Sequence, residues 1–365
     1  MLDIPPLKIG SLTARIPVIQ GGMGVGISLA NLASAVAREG GIGVLATAGI
    51  GMFEPDLDTN PVAAHQRGLK KELAKAKSMA PEGIIGVNVM VALSDFGELV
   101  ACAVEHGADI LFLGAGLPLK LPKTLPLDNL DQIKTQFVPI VSSARAAELI
   151  FRSWDKQYDR VPDAIVVEGP LAGGHLGFKK EHINDPEFAL EKLLPPVIEV
   201  ARKYEDKVGR SIPVIAAGGV YTGADIYRFL EMGASGVQMA TRFVATHECD
   251  ASDAFKQAHL DCKQEDIILI DSPVGMPGRA IRNDFLSQRE AGIKESFNCP
   301  WKCLHTCQFK KAKYCIAKAL TQAQRGHMEN GFAFAGANAW RNDKLVSVKE
   351  LIDTLMEEYQ QQVKG

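Results

Sequence analysis

The sequence lacks the features that mark several broad classes of protein. Its 365 residues hold 40 lysines and arginines against 43 acidic residues, a formal net charge of -3. A nucleic-acid-binding surface is usually basic, so we expect no nucleic acid as its main partner. No apolar run reaches the roughly 18 residues of a membrane helix, and residues 1–8 do not have the charged and apolar regions of a signal peptide. We therefore expect no membrane partner and a cytoplasmic location.

Cysteine is present in an odd number, and its distribution is uneven. A chain with seven cysteines and no secretory signal is typical of reduced thiols in the cytosol. Four of them, at 299, 303, 307 and 315, follow the spacing C-x3-C-x3-C-x7-C, which matches no common zinc or ferredoxin pattern. On a helix the first three would share one face. Two interpretations stay open: small packing residues, or a zinc or iron–sulfur site.

Glycine, by contrast, is abundant, with 34 residues, and short apolar runs alternate with helical stretches from residue 16 to about 250. The runs are too continuous for a half-exposed sheet, which favours buried parallel strands in βα units. The predicted strands cover residues 16–20, 43–46, 84–89, 110–113, 138–141, 164–167, 213–216 and 236–239. The predicted helices cover residues 28–39, with Ser28 as a possible N-cap, 62–79, 94–106, 143–152, 186–204 and 222–232. This count predicts an α/β fold of the (β/α)8 TIM barrel type, with a doubly wound open sheet as the alternative.

The regular alternation of predicted strands and helices ends at about residue 250. We predict a barrel over residues 1–250 and a smaller, mainly helical capping subdomain over 251–365, which includes the cysteine-rich segment. Apolar residues recur at helical spacing over 347–361, which predicts an amphipathic docking helix at the end of the chain. Residues 117–130 are predicted to form a long excursion over the barrel surface.

Function in such a barrel lies where the strands end at the carboxyl-terminal face. The most informative strand end covers residues 168–177, with four glycines, Glu168 and His175. Glycine lets the backbone approach a ligand closely, and a histidine there suits proton transfer near neutral pH. The alternative is a tight turn in which the histidine caps backbone carbonyls. The other strand ends carry small or neutral residues, as a planar cofactor lying across the barrel mouth requires. They lack the histidine and carboxylate ligands that a metal-dependent hydrolase needs.

The ends of the last two strands point to a phosphate. Gly218 and Gly219 follow the seventh predicted strand, and Ala240 and Thr241 follow the eighth. Loops at these two positions form the recurrent phosphate site of (β/α)8 barrels, through backbone N–H groups at a helix start. The phosphate of flavin mononucleotide (FMN) suits this site.

Several of these segments together resemble the nitronate monooxygenase (2-nitropropane dioxygenase) family, whose motifs are shared by flavin-type enoyl-acyl-carrier-protein reductases. The resemblance rests on residues 17–24, Asn88 and on residues 168–177, 216–220, 239–243 and 278–283. It implies a (β/α)8 barrel with FMN and a small cap. It also implies oxidation of an alkyl nitronate or nitroalkane with O2. The oligomeric state stays open on the sequence, with a homodimer as one candidate.

The resemblance also implies roles for single residues. His175 would be the catalytic base or the group that orients the substrate beside the flavin. The predicted cofactor-binding residues are Gly22, Met23 and Asn88 at the isoalloxazine or ribityl region, Glu168, Gly173 and Gly174 along the flavin, and Gly218, Gly219, Ala240 and Thr241 at the phosphate, together with Gly24 and Met239. No metal-binding residue is predicted within this catalytic set. Residues 332–338 either return near the flavin pocket or pack within the cap.

Two other functions stay open on the sequence alone. The first is an NAD(P)H-dependent reductase of enoyl thioesters, which would use the same barrel, flavin and histidine. The second is a binding or regulatory protein that keeps the scaffold without turnover.

Overall fold

A computed structural model describes residues 4–364 of the chain, and its secondary structure is dominated by short strands joined by helices. The strands are β1 (Leu7–Ile9), β2 (Leu12–Ala14), β3 (Val18–Gln20), β4 (Ile42–Ala46), β5 (Ile84–Met90), β6 (Ile110–Gly114), β7 (Gln136–Val141), β8 (Ile165–Glu168), β9 (Gly174–His175), β10 (Val214–Ala217), β11 (Gly236–Met239), β12 (Ile267–Asp271) and β13 (Pro277–Ile281). The helices are α1 (Ala30–Arg38), α2 (Pro61–Met79), α3 (Phe96–Glu105), α4 (Ala144–Tyr158), α5 (Leu190–Val208), α6 (Gly223–Glu231), α7 (Thr241–Val244), α8 (Asp253–Asp261), α9 (Asp284–Glu290), α10 (Ile316–Gln324) and α11 (Val348–Lys364).

Eight of the strands form a closed parallel barrel in the order β10-β11-β3-β4-β5-β6-β7-β8. Closure is achieved on one side by the pairing of β10 with β8 and on the other by the pairing of β11 with β3. A doubly wound sheet would leave two open edges, so the predicted (β/α)8 TIM barrel is confirmed and the open-sheet alternative is excluded.

The amino-terminal hairpin of β1 and β2 closes the bottom of the barrel. Its apolar residues Leu7, Ile9 and Ala14 are buried in the same cluster as the barrel interior, which includes Phe112 and Val166. The barrel is therefore a filled core, and ligands can enter only from the opposite, carboxyl-terminal end of the strands.

Local sequence signals explain several of the helix boundaries. The Ser143 side chain caps the start of α4, which runs to Tyr158, past the predicted end at residue 152, and stops at Asp159 in the left-handed conformation. Ser28 is not the predicted N-cap of α1: the cap position is Leu29, and the Ser28 hydroxyl donates to the Met23 carbonyl instead. The connection from β6 to β7 contains a 3-10 turn (Leu127–Gln132) in place of an α-helix, as the predicted excursion requires.

The cap is inserted into the barrel rather than appended to it. The cap begins after α7 and ends at α11. Helix α11 packs against α6 and α1 and so completes the ring of barrel helices. The buried face of α11 consists of the residues predicted from the periodicity, Val348, Leu351, Ile352, Leu355 and Met356, together with Tyr359. The division at residue 250 stays a prediction.

Two features of the cap differ from the sequence expectations. It contains α8, α9 and α10, but also an antiparallel hairpin of β12 and β13, which no predicted strand covers. Residues 299–307 are not helical, so the three cysteines there do not share a helix face as expected. Over residues 4–364, no helix is both long and apolar enough to cross a bilayer.

Candidate active site

A cavity of about 360 Å³ lies at the carboxyl ends of the barrel strands, below the cap. Every residue of the predicted site lines it: His175 together with Gly22, Met23, Gly24, Asn88, Glu168, Gly173, Gly174, Gly218, Gly219, Met239, Ala240 and Thr241. The structure thus brings together residues from the ends of five barrel strands that are up to 219 positions apart in the chain, since Gly22 and Thr241 are both included. Their individual roles stay predictions.

Glycine is required where two loops of the cavity meet. Gly218 has φ +86, and a Cβ at this position would lie 2.6 Å from the carbonyl oxygen of Gly169. A Cβ on Gly22 would lie 2.5 Å from the Cβ of Asn88. Side chains at these positions would force the strand ends apart, so glycine keeps the floor of the cavity flat and narrow.

His175 is held on a short strand rather than on a free loop. It belongs to β9, where His175 pairs with Gly278 and Gly174 pairs with Arg279 of β13. Two segments that the sequence analysis singled out separately, residues 168–177 and 278–283, are therefore neighbours in one antiparallel sheet. This pairing fixes the backbone from which the imidazole projects into the cavity.

The His175 ring is neutral at physiological pH. Desolvation lowers the pKa of His175 to about 4. Its Nε2 lies 2.7 Å from the Ser272 hydroxyl, and its ring stands edge-to-face against Phe334 with 5.0 Å between centroids. A neutral imidazole with one nitrogen engaged by a hydroxyl can donate or accept through the other, depending on which nitrogen carries the proton.

Arg279 stabilises the glycine-rich loop from beneath. Its guanidinium is buried, and Nη1 donates to the carbonyls of Pro170 and Ala172, at 2.6 Å each. Burial lowers the pKa of Arg279 to about 10, so the group keeps its charge near neutral pH. Two charge-assisted bonds to carbonyls two residues apart hold that loop in place beside the cavity.

Glu168 is the carboxyl group of the cavity. It ends β8 and lies deep in the protein, with only part of its surface facing the cavity. Desolvation raises the pKa of Glu168 to about 7. The carboxyl group is therefore partly protonated near neutral pH and can donate a hydrogen bond to a neighbouring ligand.

Two arrangements were expected for residues 332–338, and the structure shows the first, in which the segment returns to the cavity. Phe334, Ala335, Gly336, Ala337 and Asn338 line the wall. The Asn338 side chain donates to the Gly219 carbonyl, and the Gly336 N–H donates to the Thr241 hydroxyl. The cap is thereby tied to the two loops that the sequence associates with a phosphate.

The cysteine-rich segment lies at the cap end of the cavity, which Cys303 lines together with Trp301 and Leu304. All seven cysteines are free thiols. Within residues 4–364, no three histidine, cysteine or acidic side chains are arranged to hold a metal ion. Burial raises the pKa of the Cys303 thiol to about 12, as expected for a packed cysteine.

Sequence reasoning did not single out four side chains that line the cavity or contact its lining residues: Ser272, Arg279, His65 and Asp95. His65 is buried in α2 yet lines the cavity, and its Nδ1 lies 2.6 Å from Oδ2 of Asp95. No local pattern marks these residues, because each pairs with a partner distant in the chain. Only the segment 278–283, quoted for its family resemblance, contained one of them.

The floor of the cavity fits a flavin nucleotide. The N–H groups of Gly219 and Val220 find no acceptor within the described part of the chain, and they lie on the loop predicted for the phosphate. The glycine floor between Gly22 and Gly218 leaves room for a flat ring system, and Glu168 and Asn88 supply polar groups at its edge. Unpaired backbone donors beside a flat apolar slot are the chemistry that a phosphate-bearing ring system requires.

The closed barrel with a cavity at the strand ends is the arrangement of (β/α)8-barrel enzymes. Comparison with known families is more specific. The family model described as nitronate monooxygenase matches residues 6–358, so this chain belongs to that family of oxidoreductases.

Individual relatives carry two kinds of name. A probable nitronate monooxygenase of Staphylococcus haemolyticus is 26% identical over 302 residues, which cover 76% of this chain and 78% of that protein. A (3aS,4S,5R,7aS)-5-hydroxy-7a-methyl-1-oxo-octahydro-1H-indene-4-carboxyl-CoA dehydrogenase of Mycobacterium tuberculosis is 29% identical over 278 residues. That match covers 76% of this chain and 66% of the relative, just under two thirds of its length.

Solved structures show the same fold. FabK from Thermotoga maritima has a TM-score of 0.71 at 25% identity, with 96% of this chain and 94% of that chain covered. A nitroalkane oxidase from Streptomyces ansochromogenes also has a TM-score of 0.71, at 20% identity, with 96% and 97% covered. At 20% identity, the similarity to the nitroalkane oxidase is evidence for the fold alone.

Proposed function

We propose that this protein is an FMN-dependent nitronate monooxygenase that oxidises alkyl nitronates with O2. The observation that carries the proposal is the position of a neutral His175 on the wall of a glycine-floored cavity. Membership of the nitronate monooxygenase family and the similarly named staphylococcal relative support it.

The residues of this chain would divide the binding of FMN between them. Gly218, Gly219, Ala240 and Thr241 would hold the phosphate, and Gly22 and Asn88 would contact the flavin ring or its ribityl chain. When bound, FMN supplies the exchange of electrons with the substrate and with oxygen. The protein supplies position, a dry environment and hydrogen bonds.

His175 would act on the substrate through the ring nitrogen that Ser272 leaves free. With the proton on Nδ1, the ring donates a hydrogen bond to an oxygen of an anionic nitronate. With the proton on Nε2, Nδ1 can instead accept the α-proton of a neutral nitroalkane. Because the ring is neutral at pH 7, it offers hydrogen bonding and proton transfer and not a cation for the nitronate charge.

A second candidate function is an NAD(P)H-dependent reductase of enoyl thioesters. The lining of the cavity extends from His175 to Ile316 and Leu320 of the cap, which adds apolar surface that an acyl chain could contact. The FabK structure and the relative named as a CoA-ester dehydrogenase favour the same alternative. The two functions differ in what reduces the flavin.

The test is a visible absorption spectrum of the purified protein, followed by anaerobic addition of ethylnitronate or NADPH in separate cuvettes. Prompt bleaching of a flavin spectrum by ethylnitronate and not by NADPH is the expected result. Bleaching by NADPH alone would replace the proposal with the reductase. Colourless protein that takes up no added FMN would favour the non-catalytic alternative.

A further inference from the structure

A second histidine faces the cavity from the side opposite His175. His65 lies in the first turns of α2, which follows β4, whereas His175 follows β8. In the barrel order, three strands separate β4 from β8 in either direction. The two imidazoles therefore stand across the barrel mouth from each other and line one cavity.

His65 is held in a fixed orientation by Asp95. The contact between Nδ1 of His65 and Oδ2 of Asp95 is 2.6 Å, and both side chains are almost fully buried. The ring is also packed edge-to-face against Trp301, with 4.9 Å between centroids, and lies beside Gly51, where a Cβ would come within 2.6 Å of its Cδ2. These contacts leave the imidazole no room to rotate, so the direction of its second ring nitrogen, Nε2, is fixed.

That second nitrogen is without a partner. Nε2 of His65 is buried and makes no hydrogen bond with any described residue. When the Nδ1 proton points to the Asp95 carboxylate, which accepts hydrogen bonds, Nε2 of the imidazole is left with a lone pair. A buried polar atom that stays unsatisfied is costly, and Oδ1 of Asp95 is likewise buried without a partner among the described residues. Leu93, Trp301 and Leu304 line the cavity together with His65.

We propose that His65 is a specificity-determining residue whose Nε2 accepts a hydrogen bond from a hydroxyl or amino group at the substrate end distant from His175, with Asp95 as its positioning residue. This rests on the proposed function for the reacting end of the substrate. The preferred substrate would thus be a small anion with a hydrogen-bond donor at the far end of its chain. A simple alkyl nitronate would leave the Nε2 lone pair unmatched.

The test uses FMN-loaded protein and two anions of equal length that do not react, 5-hydroxypentanoate and hexanoate. Their dissociation constants are measured from changes in the flavin spectrum, in the wild type and in His65→Phe combined with Asp95→Asn, which leaves no buried carboxylate unpaired. We expect the preference for the hydroxylated anion over hexanoate to fall about tenfold in the double variant. His106→Gln, outside the cavity at the C-cap of α3, is the matched control and keeps the wild-type ratio.

A second measurement does not depend on the folding of a variant. In the wild type, ¹⁵N NMR of the His65 ring should show an unprotonated Nε2 whose shift changes with 5-hydroxypentanoate and not with hexanoate. An unchanged preference in the double variant, or an Nε2 signal indifferent to the hydroxyl, would overturn the proposal. Because neither readout needs turnover, a protein that oxidises no nitronate but shows the expected preference would refute the proposed function alone.

Discussion

At the scale of single residues, desolvation sets the protonation of the groups in the cavity. Burial lowers the pKa of His175 to about 4 and raises the pKa of Glu168 to about 7. The shifts have opposite signs, and both favour the neutral form. A cavity that suppresses charge on its own side chains strengthens hydrogen bonds to a bound anion, because little solvent competes with them.

Replacement of His175 tests its place in the chemistry. We expect His175→Ala to retain bound flavin and to lower the turnover of nitronate by about 10²- to 10⁴-fold, the usual contribution of a proton-transfer group. Ser272→Ala keeps the imidazole but removes its hydrogen-bond partner, so a smaller loss, about tenfold, is expected. Flavin absorbance and kcat/KM are measured together. A His175→Ala protein with the wild-type rate would remove His175 from the mechanism.

Glu168 makes stability depend on pH. Its folded-state pKa of about 7 lies above the ordinary 4.5, so the folded protein binds the proton more tightly than the unfolded chain. Stability therefore falls as pH rises from about 4.5 to about 7 and stays low above that. We expect Glu168→Gln to stabilise the flavin-free protein at pH 8 by at most about 3 kcal/mol and to have little effect at pH 5.

The measurement is urea unfolding of the flavin-free wild type and Glu168→Gln protein at both pH values. A stability difference that is the same at pH 5 and pH 8 would show that ionisation of Glu168 in the folded state carries no such penalty.

At the scale of elements, the glycine-rich strand ends matter because two loops meet there. A Cβ on Gly218 would collide with the Gly169 carbonyl, at a φ of +86 that is already unfavourable for other residues. Gly209 offers a matched control, because it has φ +67 at the end of α5 but nothing within 4 Å of an added Cβ.

We expect Gly218→Ala to weaken FMN binding by at least tenfold, since the loop must move away from Gly169. Gly209→Ala should cost only about 1 kcal/mol of stability, from its backbone conformation, and leave FMN affinity unchanged. Fluorescence titration with FMN and thermal melting separate the two effects. Equal FMN affinity in both variants would count against a phosphate loop at Gly218.

The elements themselves were largely predictable. The barrel strands are mostly apolar runs, four of which end in or are followed by glycine, and both signals are local in the sequence. The hairpin of β12 and β13 was missed, because only part of it is buried and its pairing with β9 depends on residues about 100 positions away. The cysteines of residues 299–307 have the spacing of a helix face, but the residues between them do not favour a helix. Pro300 and its neighbours form turns instead.

At the scale of the whole molecule, the chain returns to the barrel after building the cap. Helix α11 lies so close to α6 that a Cβ on Gly223 would be 2.1 Å from the Leu355 carbonyl oxygen. The Gly223 N–H also donates to the Glu358 carboxylate. The last helix therefore ties the end of the cap insertion to the barrel helix α6.

Loss of this anchor should destabilise the entire barrel. Leu355 is fully buried on α11, so we expect Leu355→Ala to lower the free energy of unfolding by about 2–5 kcal/mol. Its exposed neighbour gives the control, since Thr354→Ala should change stability by less than about 0.5 kcal/mol. Thermal or urea unfolding distinguishes them. Similar stabilities for the two variants would mean that α11 is not part of the folded core.

Hydrophobic periodicity and strand-end chemistry are properties of neighbouring residues, so the barrel, its glycine-lined mouth and the place of His175 could be predicted from the chain alone. The side chains that contact these groups could not. Ser272 meets His175 across 97 positions, Arg279 reaches Pro170 across 109, and Asp95 orients His65 across 30. A hydrogen bond depends on distance in space and leaves no periodic trace in the chain, so these partners became visible only once the barrel had closed and the cap lay over it.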